Sequence, residues 1–361
     1  MHNQNALHPT ATITDTAVGD RALGALYGLA LGDALGMPTQ VMSRAAITSR
    51  FGQVTGFEPG PPDNPVAAGL PAASVTDDTE QAVLVGRLLV RGDGHIDPHT
   101  LARELLDWEA TMKARGSLDL LGPSTKAALD AVARGASVEE AGRTGTTNGA
   151  AMRVAPVGIA FPFGSEGRDG DLDGDLDLDG FLDRVVESCQ VTHATGIGIA
   201  AAAAVAAAVS AGVSGAGLDR CMDAAEQAAA AGSLRGAWVA GADIATRIGW
   251  ARRLVTGVPR DQAIELIVNL VGTSVASQES IPAAFAVLTL AGADPWQCGL
   301  IAANLGGDCD TIGAIACAIA GSVSGHAALP AEAVTALDAV NGIDLRGLSA
   351  DLLTLRSATH G

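Results

Sequence analysis

Residues 21–36 read RALGALYGLALGDALG, with Gly24, Gly28, Gly32 and Gly36 spaced four apart. Positions four apart share one face of an α-helix, so these glycines form a single stripe. A glycine inside a helix costs roughly 1 kcal/mol against alanine. A stripe of them therefore predicts a second backbone passing very close. Asp33, a charged residue inside this apolar helix, is read as support for a nearby site, not as a ligand in its own right.

Helical spacing continues outward from this segment. DDTEQAVLVGRLLVRG (77–92) carries apolar residues at helical intervals, and Asp77 with Glu80 has the offset of a capping box. HTLARELLDWEATMKARG (99–116), GPSTKAALDAVARG (122–135), GLDRCMDAAEQAAAAG (217–232), RDQAIELIVNLVG (260–272) and IPAAFAVLTLAG (281–292) read as further helices, each closed by a glycine. Long alternating strand patterns are absent. The expected fold is all-α: one compact multi-helix domain over 19–361, after a flexible extension at 1–18.

Two segments stand outside this pattern. Residues 52–75, GQVTGFEPGPPDNPVAAGLPAASV, form a long loop rich in proline and glycine that is expected to rim a cleft. Residues 164–183, GSEGRDGDLDGDLDLDGFLD, are an acidic insertion whose Asp175, Asp177, Asp179 and Gly180 mimic the start of a calcium loop. The twelfth position of that loop is Val186, where calcium needs a bidentate glutamate, and Glu187 misses by one. The insertion is therefore read as a solvated surface loop.

With 22 basic against 40 acidic residues, the net charge is -18. That leaves no basic stripe to neutralise a polyanion, so a nucleic-acid polymer is excluded as partner. The five cysteines show no CxxC spacing and read as reduced thiols of a cytoplasmic protein. The first twenty residues lack a basic region followed by an apolar one, so no signal peptide is expected. TGIGIAAAAAVAAAVSAGV (195–213) is long enough to span a bilayer but consists mostly of alanine and glycine, and it is read as a buried helix rather than a membrane span.

The chemistry lies in two short clusters. SVTDDTEQAVL places Thr76, Asp77 and Asp78 before a helix, and NLGGDCDTIGAIA places Asp308, Asp310 and Thr311 before another. One such cluster has an ordinary explanation, because aspartate and threonine cap helix N-termini. Two clusters, each with more oxygen donors than a cap uses, point further. Facing each other they supply four carboxylates and two hydroxyls, a donor set suited to two hard divalent cations. Cys309, between two of the acids, is expected to point away from them.

GLALGDALGMPTQ (28–40), TDDTEQAV (76–83), TNGAAMRVAPVG (147–158) with THATGIG (192–198), and GGDCDTIGAIA (306–316) together resemble the ADP-ribosylglycohydrolase family, which includes the dinitrogen-reductase-activating glycohydrolases. The resemblance implies an all-α fold with a binuclear Mg²⁺ or Mn²⁺ centre at the base of a cleft. It implies Thr76, Asp77, Asp78, Asp308, Asp310 and Thr311 as metal ligands. It also implies a substrate site at Asn148, Gly149, Ala150 and Met152 with His193 close by, to which we add Gln40 and the Gly306–Gly307 pair. The implied reaction is hydrolysis of the N-glycosidic bond of an ADP-ribosylated protein or of a small ADP-ribosyl or ribosyl conjugate. ADP-ribosyl-arginine is the first expectation; a free N-riboside hydrolase and a catalytically idle sensor are the alternatives. Asp77, Asp78 and Asp310 are the expected catalytic carboxylates. Many family members carry a glutamate at the position of Gln40, and glutamine can hydrogen-bond but cannot exchange a proton. His193 reads equally well as a core histidine, and Arg153 as a phosphate contact or a buried ion pair.

Overall fold

The computed structural model describes residues 16–118, 121–164 and 177–358. The glycine stripe of the first helix, Ala17–Gly36, lies against the helix Cys309–Ser324. A Cβ added at Gly24 would sit 2.3 Å from the Gly321 carbonyl oxygen, at Gly28 2.1 Å from that of Cys317, and at Gly32 2.1 Å from that of Gly313. At Gly36 it would sit 2.3 Å from the Asp310 Cα. The residue numbers run in opposite senses, so the two helices are antiparallel. The end of the first helix therefore meets the start of the second at Asp310, and the contact predicted from the stripe is the one that positions the second acidic cluster.

The alanine-rich helix Gly196–Ser214 is buried from Gly196 to Val213 and packs on Leu218–Gly232 and Cys309–Ser324. It is long and apolar enough to cross a membrane, yet it is the core helix of this bundle. Alanine suits that place because it lets backbones approach without side-chain entropy loss. The last helix, Leu345–Ala358, closes the bundle, with the buried Arg356 guanidinium donating to the carbonyls of Gly158 and Ile159 at 3.1 and 3.0 Å. Among the described residues there are eighteen α-helices and no strand, only isolated bridges between Thr147 and Ala276 and between Thr195 and Ala237.

Several local expectations change. The Asp77–Glu80 capping box does not form: Thr76 is the N-cap residue, without a side-chain cap bond, and Glu80 accepts instead from Trp108 Nε1 at 2.6 Å. Of the expected extension 1–18, Thr16 caps the first helix and residues 17–18 are helical; residues 1–15 lie outside the described residues. Within the acidic insertion, 165–176 lie outside the described residues. Residues 178–183 are not loop but the first turns of Leu178–His193, because Asp177 Oδ1 accepts the Gly180 amide at 2.7 Å and caps that helix. Asp179 and Asp183 pair with Arg235. The segment 260–272 is helical to Leu266 and then widens into a π-type turn over Ile267–Val271.

Candidate metal centre and substrate cleft

Asp33 projects from the glycine helix into the turn that starts the helix Asp77–Arg91. Its carboxylate accepts the Thr76 amide at 3.0 and 2.9 Å, the Thr76 hydroxyl at 2.6 Å, and the amide and hydroxyl of Thr79. The group is fully buried, and burial raises its pKa to about 6 against the pull of those threonine hydrogen bonds. Asp33 thus clasps the TDDT turn, the supporting role read from the sequence. Thr76 gives its hydroxyl hydrogen to Asp33 and keeps oxygen lone pairs for another partner. Asp33→Ala is expected to weaken Mn²⁺ binding about 10- to 100-fold, the usual cost of losing a group that orients ligands; titration calorimetry checks it, and unchanged affinity would refute it.

The two clusters meet. Thr311 Oγ1 donates to Asp78 Oδ2 at 3.2 Å, across 233 residues of sequence. Asp78 is fully buried, and its other oxygen, Oδ1, has no hydrogen-bond partner among the described residues. Burial and then the charges of Asp77, Asp310, Asp33 and Asp308 push its pKa well above the ordinary carboxylate value. Asp308 is shifted upward by burial too, against hydrogen bonds from Asn148 and Thr311. Asn148 Nδ2 reaches Asp308 Oδ2 and also donates to Ser280 Oγ at 3.0 Å. Among the described residues, no three His, Cys, Asp or Glu side chains close on one point as a ready shell. Like-charged carboxylates in a dry site repel one another, and part of the expected donor set is hydroxyl.

The turn before Asp308 explains the paired glycines. Gly306 and Gly307 have φ of +83° and +74°, a region costly for other residues. The Gly307 amide donates to the Met42 carbonyl at 2.9 Å, and the Asp308 amide to that of Thr273 at 2.7 Å. Gly306 and Gly307 aim the acidic cluster and are not among the residues that line the cavity over it. Cys309 turns away, its sulfur 3.2 Å from Thr39 Oγ1, and burial pushes its thiol pKa up.

A cavity of about 270 Å³ opens over this centre. Its acids are Asp77, Asp308 and Asp310, with Thr311 beside them. Gln40, Thr125, Thr147, Asn148, Gly149 and Met152 line it together with Val41, Val66, Leu118, Leu121 and Val275. Val66 belongs to the 52–75 loop, which therefore does rim the cleft; Asn64 ties that loop to the Gln40 carbonyl at 3.0 Å. Gln40 is buried, and its Nε2 has no hydrogen-bond partner among the described residues. No lysine, arginine, histidine or aromatic side chain is among the described residues of the lining.

Ala150 and His193 stand behind the wall, both buried. His193 Nε2 lies 3.0 Å from Thr147 Oγ1 and Nδ1 2.7 Å from Thr192 Oγ1. Burial, and then the neighbouring Arg153 charge, hold its pKa well below 6.5, so the ring is neutral at neutral pH. Arg153 is fully buried and donates to Gln81 Oε1 at 3.0 Å and Thr192 Oγ1 at 2.6 Å. These bonds go to neutral acceptors, so the buried ion pair expected as one reading of Arg153 is not seen among the described residues. Sequence reasoning passed over Thr79, Gln81, Thr147 and Ser280. For Thr147 the available signal was its place at the head of the TNG motif.

A family model described as ADP-ribosylglycohydrolase matches residues 14–360. A protein of Escherichia coli (strain K12), described as uncharacterized protein YegU, is 36% identical over 338 residues, which are 93% of this chain and 97% of that protein. The ADP-ribosyl-[dinitrogen reductase] glycohydrolase of Rhodospirillum rubrum is 26% identical over 223 residues, 60% of this chain and 65% of the relative. A solved structure titled ADP-ribosylglycohydrolase-related protein complex superposes with a TM-score of 0.61 at 23% identity, covering 94% of this chain and 99% of its own. With its helical architecture, facing acidic turns and whole-length match, this chain belongs to the ADP-ribosylglycohydrolase family.

Proposed function

We propose that this protein is a divalent-metal-dependent glycohydrolase that cleaves the N-glycosidic bond between ribose and its leaving group in an ADP-ribosylated substrate, with ADP-ribosyl-arginine the first substrate to test. The observation that carries the reading is Asp78: fully buried, one oxygen without a hydrogen bond, and surrounded by the charges of four other aspartates. A cluster of this kind is neutralised by protonation, the direction in which the Asp78 pKa is shifted, or by bound cations, which would keep it ionised. Only hard oxygen donors are gathered there, which fits Mg²⁺ or Mn²⁺ and not a thiophilic ion. Thr76, Asp77, Asp78, Asp308, Asp310 and Thr311 would hold two such ions. When bound, they offset the carboxylate charge and lower the pKa of a water.

The chain's own residues do the rest. Asp77 and Asp310, at the cavity surface, are positioned to accept the proton of the attacking water as general base. Water oxygen bonds to the anomeric carbon as the carbon–nitrogen bond breaks through an oxocarbenium-like transition state. The leaving nitrogen takes up a proton, and a guanidine, being strongly basic, needs little help in doing so. Gln40 lines the same cavity; its amide would hydrogen-bond a substrate oxygen without exchanging a proton. Asn148 holds Asp308, while Gly149 and Met152 shape the wall. The five cysteines are free and buried, which supports a reducing compartment, the cytoplasm.

A second reading, hydrolysis of a small free N-riboside, draws support from Gln40, which lines the cavity where many family members carry a glutamate and which cannot exchange a proton. The assay is release of ADP-ribose from ADP-ribosyl-arginine with Mg²⁺ or Mn²⁺ and again with chelator. Release only with metal is expected. No release, with ADP-ribose still binding, would exclude arginine conjugates and favour the N-riboside.

A further inference from the structure

The buried Arg153 sits at the middle of a chain of hydrogen bonds that ends in the cleft on both sides. A guanidinium can only donate. Gln81 therefore accepts through Oε1, which turns its Nε2 toward Asp77 Oδ2, 3.1 Å away. On the other side Thr192 accepts from Arg153 and must send its own hydrogen elsewhere. The Cys189 carbonyl lies 3.4 Å from that hydroxyl, long for such a bond, whereas His193 Nδ1 lies at 2.7 Å. The shorter contact favours Nδ1 as the acceptor, and with Nδ1 accepting, a neutral imidazole carries its hydrogen on Nε2. In that tautomer Nε2–H donates to Thr147 Oγ1, 3.0 Å away. Among the described residues no acceptor takes the Thr147 hydrogen, and Thr147 lines the cavity.

We propose that Arg153 is a positioning residue that sets the direction of this chain, and that Thr147 is in consequence a specificity-determining donor to an acceptor oxygen of the substrate. The proposal rests on the cavity being the substrate site. It selects ligands that place a ribose or phosphate oxygen, not a hydrogen-bond donor, against that wall. It also accounts for a fully buried arginine that pairs with no carboxylate in its immediate shell: its charge is used to order neutral groups.

The first test needs no activity. Imidazole nitrogen NMR of the full chain, with the His193 signals identified by their loss in His193→Gln, is expected to show the Nε2–H tautomer from pH 6 to 8. An Nδ1–H tautomer, or a protonated ring, would overturn the proposal. Arg153→Lys, which keeps the charge and loses the fork, is expected to mix the tautomers. In the second test Thr147→Val is expected to weaken ADP-ribose binding about 10- to 100-fold, as loss of one hydrogen bond to a desolvated oxygen does. Mn²⁺ affinity should stay within about twofold, and Thr147→Ser should restore binding. Equal ADP-ribose affinity in Thr147→Val and the parent would refute Thr147 as a donor. Failure of the glycohydrolase reading shows separately, as absence of turnover in the parent protein while the tautomer and binding results stand.

Discussion

Replacing Asp78 by asparagine is expected to reduce hydrolysis by about 10³-fold, the scale on which a buried electrostatic group acts in a site of this type, and at the same time to make the metal-free protein more heat-stable. Both effects have one cause. The Asp78 carboxyl is raised well above 3.8 by burial first and then by Asp77, Asp310, Asp33 and Asp308. Because its folded pKa lies above the unfolded one, its protonated form favours folding. That contribution is fully present below the unfolded pKa near 3.8 and is lost as pH rises through the folded pKa. Asp33 acts in the same direction over the window from 3.8 to about 6. In chelator, the melting temperature of Asp78→Asn should exceed that of the parent by a margin that grows from pH 4 to 7. Saturating Mn²⁺ should reverse the order, since cation binding stabilises only the protein that can bind it. A thermal-shift series over pH, with and without Mn²⁺, measures this. A margin that shrinks with rising pH, or one that Mn²⁺ leaves untouched, would rule out the carboxylate cluster as the cation site.

Gly32→Ala is expected to lose about 3 kcal/mol of stability, the upper end of overpacking costs, even though alanine is favoured over glycine by roughly 1 kcal/mol in a helix. The new Cβ would lie 2.1 Å from the Gly313 carbonyl oxygen and 2.2 Å from its carbon. Both partners are helix backbone, so no side chain can rotate aside and the helices must part. The same displacement reaches the acidic turn, because Gly36 packs against Asp310 at the end of the stripe. Weaker Mn²⁺ binding in the folded variant should therefore accompany the loss of stability. Gly86→Ala is the contrast: the atoms nearest its Cβ would be those of the Leu348 side chain, from 3.0 Å, and that can yield. Urea unfolding of the two variants, followed by Mn²⁺ titration, separates the cases. Equal costs would mean that helix propensity, not the close backbone contact, governs the stripe.

Much of this arrangement was legible in the chain. Helix content follows from the 3.6-residue spacing of apolar side chains, and the glycine stripe required a close backbone because nothing else offsets its cost. The doubled clusters at 76–78 and 308–311 carry more oxygen than caps can use, so their pairing could be inferred at a distance of more than two hundred residues. The support role of Asp33 was readable from a lone charge in a glycine-lined helix. Other features depend on partners that spacing cannot reveal. The Asp77–Glu80 offset looked like a capping box, but Glu80 is drawn to Trp108 Nε1. That Gly306 and Gly307 form a turn that aims Asp308 rests on a tertiary hydrogen bond to Met42 and on positive φ.

The all-α class, the helix that needs a close neighbour and the identity of both acidic turns follow from local periodicity and residue chemistry. That Asp78 keeps an oxygen without a partner among the described residues, that His193 stands behind the wall and that Arg153 binds Gln81 and Thr192 emerge with the folded packing alone. Those properties belong to burial and to hydrogen-bond direction, which arise when segments far apart in the chain come together and exclude water.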